Sequence, residues 1–277
     1  MKLIYLHQYF KFPEQPGGTR SYWVSRRLIS RGHSVTVVSG SEFKERRVIE
    51  RDGLKVVFLP VRYNQNMNIL RRFYSFISFA LKALPEVYRL RKSDLIFATS
   101  TPLTIAIPAI FMRVFFRLRY VFEVRDLWPE VPIAMKAIKS GFIVHALRFL
   151  ERTTYSLADH IITLSPGMTA GVKKVNENKA ITELPNFSKT NVFFPRKISN
   201  GLPASIGLSP GSFKVIYFGS MGKANAVEYL FDLVKTLRTS DVFVEFVFVG
   251  GGSEKPYFME LIEEGGYPNV IVLPRMS

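Results

Sequence analysis

Three short stretches of this sequence carry residue types suited to gripping phosphate and placing a hydroxyl. The first, Gly17-Gly18-Thr19, closes the connection HQYFKFPEQPGGTRSYW after the opening strand. At a helix start the backbone amides are unpaired and the dipole favours an anion, and glycine lets phosphate reach the main chain. An ordinary glycine turn with Thr19 as N-cap would use the same residues. The second is Phe122-Glu123-Val124-Arg125-Asp126-Leu127-Trp128-Pro129-Glu130. Here an apolar strand runs into Arg125, Asp126 and Glu130, at the end of a parallel sheet where ligands bind. Asp126 can orient an acceptor hydroxyl or take its proton. Arg125 can hold a phosphate or lock Asp126 in a structural pair, and Trp128 can pack beneath the loop.

The third stretch is Tyr217-Phe218-Gly219-Ser220-Met221-Gly222-Lys223, followed later by Val249-Gly250-Gly251-Gly252-Ser253. Both are glycine turns after strands. Gly219, Ser220, Lys223, Gly250 and Gly251 are therefore candidate phosphate contacts. A Walker motif is absent, and the first connection lacks the G-x-G-x-x-G of a dinucleotide site. His7 ends the first strand and can line a cleft. His33, His145 and His160 fit structural positions, no histidine spacing suits a metal, and cysteine is absent.

The elements around these stretches alternate. Predicted strands are Leu3–Leu6, Ser34–Ser39, Leu54–Leu59, Leu95–Ala98, Tyr120–Val124, His160–Thr163 and Ala180–Glu183. Predicted helices are Thr19–Arg31, Asn68–Arg91, Leu103–Arg117, Ile143–Ala158 and Pro166–Val172. Continuous apolar runs such as VTVV and KVVFL suit parallel strands covered on both faces. A Gly/Pro/Ser-rich linker follows at 200–212. The alternation then restarts with strand Lys214–Phe218, helix Ala226–Leu237, strand Phe243–Val249, helix Glu254–Glu263 and strand Val270–Leu273. The fold class is α/β, with two doubly wound parallel-sheet domains over 1–199 and 213–277. The second is too short to close and reads as truncated.

The formal charge is +16, and it is concentrated. Residues 1–204 hold 32 Lys and Arg against 14 Asp and Glu, whereas the remainder is slightly acidic. Such a segment attracts phosphates or an anionic membrane surface. The mixed basic and aromatic runs 71–79 and 111–119 suit a membrane interface or an amphipathic core helix. No nucleic-acid-binding motif accompanies the charge. Leu95–Met112 carries no charge over 18 residues, but its prolines and threonines fit a strand and buried helix better than a membrane span.

Taken in order, GGTR, L-x-x-R-G-H-x-V-x-V-V, EVRDLWPE, A-D-x-I-I-T-L-S, L-P-N-x-x-x-x-x-x-F-x-P and Y-x-G-S-M-G resemble the family-4 retaining glycosyltransferases. Within them the chain is similar to the group acting in O-antigen and capsule assembly, including N-acetyl-L-fucosamine transferases. The resemblance implies the GT-B fold, whose first domain binds an acceptor and whose second binds a nucleotide sugar, with no metal and no cofactor. The implied donor is UDP-linked and N-acetylated. The implied acceptor is a lipid-linked saccharide or polysaccharide precursor, met from the cytoplasmic side by a peripheral protein on the inner face of the membrane. Gly17 and Gly18 would approach the donor diphosphate, with Thr19 beside them. Gly219, Ser220, Lys223, Gly250 and Gly251 would do so from the second domain. Asp126 matches the acceptor-side polar position, flanked by Arg125 and Glu130, with His7, Arg20 and Trp128 lining the cleft. Two departures stand out. Ser220 occupies the region where many relatives carry an arginine, and the paired-glutamate E-x7-E segment is absent. An inactive fragment serving as an acceptor- or membrane-binding module is the alternative.

Overall fold

The computed structural model describes residues 1–15, 17–64, 67–136, 138, 140–196, 206–209, 211–222, 225–238 and 243–274. Two compact units emerge, Met1–Ser188 and Lys189–Ser277. The first ends inside the domain expected to reach residue 199. Most of the expected linker at 200–212 lies outside the described residues.

The first unit is built on one eight-stranded sheet. Its strands are β1 (Lys2–Leu6), β2 (Ser34–Ser41), β3 (Arg47–Arg51), β4 (Leu54–Pro60), β5 (Leu95–Thr99), β6 (Arg119–Val124), β7 (His160–Thr163) and β8 (Ile181–Glu183), in spatial order β3-β4-β2-β1-β5-β6-β7-β8. All pairs are parallel except β3 with β4. The chain builds outward from β1 to β2 and β4, crosses back, and continues from β5 to β8. The direction of winding thus reverses between β1 and β5, which opens a crevice at their carboxyl ends.

Alternating side chains give the sheet two cores. Ile4 and Leu6 face one layer with Ile96, Ala98 and Phe122, under α2 (Ile69–Arg89), α3 (Ala106–Phe116) and α5 (Gly141–Leu157). Leu3 and Tyr5 face the other, with Val37, Val56, Phe58 and Tyr22 of α1 (Arg20–Ser30). Local chemistry sets the helix ends. The Asn68 side chain accepts from Arg71 N at 2.9 Å to start α2. Ser165 Oγ accepts from Met168 N at 3.3 Å to start α6 (Pro166–Val175), with Pro166 in the first turn. Gly32, at φ 82°, follows the end of α1.

Three details depart from the sequence reading. β3 falls where the sequence predicts no element. It pairs antiparallel with β4 across Asp52-Gly53, both at positive φ, the geometry of a two-residue hairpin turn. The single helix expected over Leu103–Arg117 is a 3-10 turn, Leu103–Ile105, running into α3, which Arg117 ends in the left-handed region. A short helix, α4 (Glu130–Ala134), also follows the EVRDLWPE segment. No helix among the described residues is long and apolar enough to cross a membrane.

The second unit holds a parallel sheet in the order β11-β10-β9, from β9 (Phe213–Ser220), β10 (Val244–Gly251) and β11 (Val270–Leu273). α7 (Val227–Leu237) and α8 (Lys255–Gly265) make the connections. Phe231, Val234, Phe246, Phe248 and Phe258 form its core.

Candidate active site

Sheet register fixes which residues meet at the crevice. Leu6 pairs with Ala98, and Thr99 with Glu123, so His7, Ser100 and Arg125, the first residues past β1, β5 and β6, leave the sheet staggered by one residue per strand. Ser100 joins the loops: its amide donates to Glu123 O at 2.9 Å, and its Oγ accepts from Arg125 N at 2.9 Å.

A buried polar network lies under this floor. Glu123 is fully buried in β6, and Arg20 at the start of α1 is 7% exposed. Arg20 donates to Glu123 Oε1 from Nε at 3.0 Å and Nη2 at 2.9 Å. It also donates to Leu184 O at 2.8 Å and Pro185 O at 2.7 Å, and Phe187 packs on its guanidinium at 5.2 Å. Thr99 Oγ1 donates to Glu123 Oε2 at 2.6 Å and lies 3.3 Å from the Tyr5 hydroxyl. A buried carboxylate is tolerated only when paired and fully hydrogen-bonded, as here. Arg20, expected to line the cleft on the acceptor side, is instead committed to this floor. It ties the segment that leaves β8 to β6.

Above the floor, Arg125 and Asp126 go separate ways. Asp126 is exposed and accepts from Thr101 Oγ1. Arg125 is half-buried and makes no ion pair with any described residue. Its Nη1 lies 3.4 Å from His7 Nε2. Its Nη2 lies 3.8 Å from where a Cβ on Gly18 would sit. Guanidinium nitrogens only donate, so Nε2 is the acceptor and the imidazole proton resides on Nδ1, which reaches Ser21 Oγ at 2.7 Å. Burial, reinforced by the Arg125 charge, pushes the His7 imidazole down to about 3. His7 is therefore neutral at physiological pH.

Gly17 adopts φ 130°, a conformation that side-chain-bearing residues rarely take, and its open side faces the Lys11 stem at 3.5 Å. Thr19 occupies the N-cap position of α1 but its side chain makes no capping bond, and the first turn holds no acid. The helix start thus keeps free amides beside Arg125, an arrangement complementary to an anion. Glu130 opens α4, exposed, and is held by Arg148 at 3.1 Å. Half-buried Trp128 stands edge-on to Phe76, with centroids 6.0 Å apart.

In the second unit two glycines at the end of β10 answer to chain packing. A Cβ on Gly250 would lie 1.9 Å from Gly219 O, and one on Gly252 2.1 Å from Met221 O. Gly250 pairs with Gly219 where β10 runs beside β9, and just beyond, Met221 N donates to Gly251 O at 3.0 Å. Gly251 alone of the trio faces open space, while Gly219 rests against the Tyr217 hydroxyl. Ser220 presents its carbonyl to Tyr217 and Asn225. Lys223 lies outside the described residues.

Sequence reading did not single out Tyr5, Ser21, Thr99, Ser100 or Thr101, because hydroxyls carry no spacing signature. Glu123 was detectable: a carboxylate inside the apolar run YVFEV demands a buried cation, and Arg20 is that partner. Among the described residues no group of three or more His, Asp or Glu could hold a metal ion.

Residues 17–186 match the glycosyl transferase 4-like domain. A probable glycosyltransferase, WbjE of Pseudomonas aeruginosa, is 22% identical over 194 residues, covering 69% of this chain and 48% of the relative. The chain thus spans about half the length of that curated protein. Among solved structures, sucrose-phosphate synthase of Thermosynechococcus elongatus superposes over the whole chain and 71% of its own, with a TM-score of 0.75 at 15% identity. Anabaena HepE in complex with UDP and glucose covers the whole chain and 70% of its own, with a TM-score of 0.62 at 16% identity. At such identities the likeness speaks for the fold, an α/β arrangement of GT-B type. With the domain match extending from the diglycine turn to the exit of β8, this chain belongs to the glycosyl transferase 4-like family.

Proposed function

We propose that this chain carries the acceptor side and the first donor contacts of a retaining glycosyltransferase. It would move a sugar from a nucleotide-sugar donor, a UDP-linked N-acetylated sugar, to a lipid-linked or polysaccharide-precursor acceptor in O-antigen or capsule assembly. The observation that carries the reading is the Arg125 guanidinium between Gly18 and His7, without an ion pair among the described residues, next to Asp126, where the sheet reverses its winding. A half-buried cation beside free helix amides is matched to a phosphate or diphosphate. When the sugar–diphosphate bond breaks, negative charge grows on the departing oxygen. Fixed donors aimed at that charge act without reorganisation. Asp126, exposed and oriented by Thr101, would position the acceptor hydroxyl whose oxygen forms the new bond.

The membrane side of the reading rests on the first unit. Leu70, Phe73 and Tyr74 at the start of α2, and Phe142 and Phe149 on α5, are exposed, with Arg71 and Arg152 exposed among them. An apolar, basic surface of this kind suits peripheral contact with anionic lipid. Glycosyl transfer from a panel of UDP-sugars to polyprenyl-diphosphate-linked acceptors tests the proposal. Asp126→Asn is expected to lower turnover by about 10²-fold or more. Unchanged turnover in that variant would contradict the assigned role.

A further inference from the structure

We propose that His7 is the positioning residue for Arg125: its imidazole, held by Ser21, accepts from the guanidinium and aims it at a phosphate seated against Gly17 and Gly18. This rests on the anion-binding reading of the same site and extends it to the group that makes Arg125 usable.

The geometry is specific. His7 is 2% exposed at the end of β1, and both ring nitrogens are engaged. Nδ1–H donates to Ser21 Oγ at 2.7 Å, which fixes the ring plane from α1. Nε2 then faces Arg125 Nη1 at 3.4 Å and has no proton of its own. A carboxylate at position 7 would neutralise Arg125 and compete with any phosphate. A protonated imidazole would repel it. A neutral acceptor does neither: it directs one N–H of the fork and leaves the charge available on the other side, where Nη2 faces Gly18. Burial keeps the ring in that state, since the imidazole is pushed down to about 3. The Tyr9 ring stands edge-on to His7 at 6.2 Å, and Ser21 lies on the far side. Arg125 meets no carboxylate among the described residues, so its direction depends on this contact and on the backbone bond to Ser100.

The test is calorimetric titration of the full chain with inorganic pyrophosphate and with UDP, alongside thermal unfolding. Wild type is expected to bind both, and Arg125→Ala to lose at least about tenfold in affinity. His7→Leu removes the acceptor and is expected to lose about tenfold. His7→Gln, whose amide oxygen reaches as far as Nε2, should stay within about threefold of wild type. The pair His7→Leu with Arg125→Ala should bind no more weakly than Arg125→Ala alone, because His7 acts only through the arginine. Should His7→Leu fail to fold, Ser21→Ala loosens the ring with little change in volume and is expected to weaken binding about threefold. Full affinity in a folded His7→Leu or in Ser21→Ala, or additive losses in the double variant, overturns the positioning role and leaves the anion site standing. No binding by wild type, or no loss in Arg125→Ala, overturns the anion site and the positioning role together.

Discussion

Arg125 and Asp126 are neighbours in sequence but not partners: the guanidinium lies 3.4 Å from His7 Nε2, while the carboxylate takes the Thr101 hydroxyl. Opposite charges on adjacent residues at a strand end usually neutralise each other. Here the chain keeps both available, which is uneconomical for stability and useful for chemistry.

Replacing Arg125 by Met is expected to change thermal stability by no more than about 1 kcal/mol, because no ion pair among the described residues is broken and the removal of a half-buried cation offsets the lost hydrogen bond to His7 Nε2. Pyrophosphate binding by the same variant should fall at least about tenfold. Thermal unfolding and titration on one sample separate the two effects.

Arg20 and Glu123 should behave in the opposite way. Glu123→Ala strands a buried guanidinium and is expected to cost about 3–5 kcal/mol in urea denaturation. Arg20→Met with Glu123→Leu removes both charges and should recover much of that loss. A loss below about 1 kcal/mol in Glu123→Ala would show that the pair is not the buried clasp described.

Two buried groups give the folded state opposed acid responses. The unfolded His7 takes a proton near 6.5, which the folded chain refuses until about 3. Its contribution is complete above 6.5 and is lost as pH falls toward 3. Glu151 of α5 is pushed up to about 7 by burial, from the 4.5 of an ordinary glutamate. Its contribution is complete below 4.5 and is lost as pH rises through 7. Between 4.5 and 6.5 the two slopes cancel in part. Glu151→Gln should expose the His7 slope, with stability rising by up to about 1.4 kcal/mol per pH unit across that window. Urea denaturation over a pH series reads this directly.

Gly171 on α6 supports the loop after β6 from behind. A Cβ there would fall 2.6 Å from Leu127 Cδ1, two residues after Arg125. Gly171→Ala is expected to cost about 1–3 kcal/mol through overpacking and to weaken pyrophosphate binding. Leu127→Ala should relieve the clash, so that the double variant is more stable than the sum of the single effects allows. Denaturation of the three variants measures that coupling.

Much of the fold was legible because its signals are local. Apolar runs mark strands such as Leu54–Pro60 and Leu95–Thr99, and Ser165-Pro166 marks a helix start. β3 escaped because RVIER is polar and exposed, though Asp52-Gly53 announced its hairpin. At the site, the sequence located Gly17, Gly18, Arg125 and Asp126 through their place at element ends. It left the Arg125–Asp126 pairing open and put Arg20 in the cleft, since the choice of partner is a tertiary matter. Likewise Gly250 reads as a phosphate-binding glycine in sequence, and only the neighbouring strand β9 shows the steric reason for it.

The hairpin through Asp52-Gly53 also has a colloidal consequence. Without β3, the apolar strand Leu54–Pro60 would present a row of unsatisfied amides and carbonyls ready to recruit a strand from another molecule. β3 takes those bonds and turns Arg47, Glu50 and Arg51 toward water instead. At the far side the sheet stops at the three-residue β8, too short to serve as a template. Both margins of the large sheet are thus poor starting points for fibre growth.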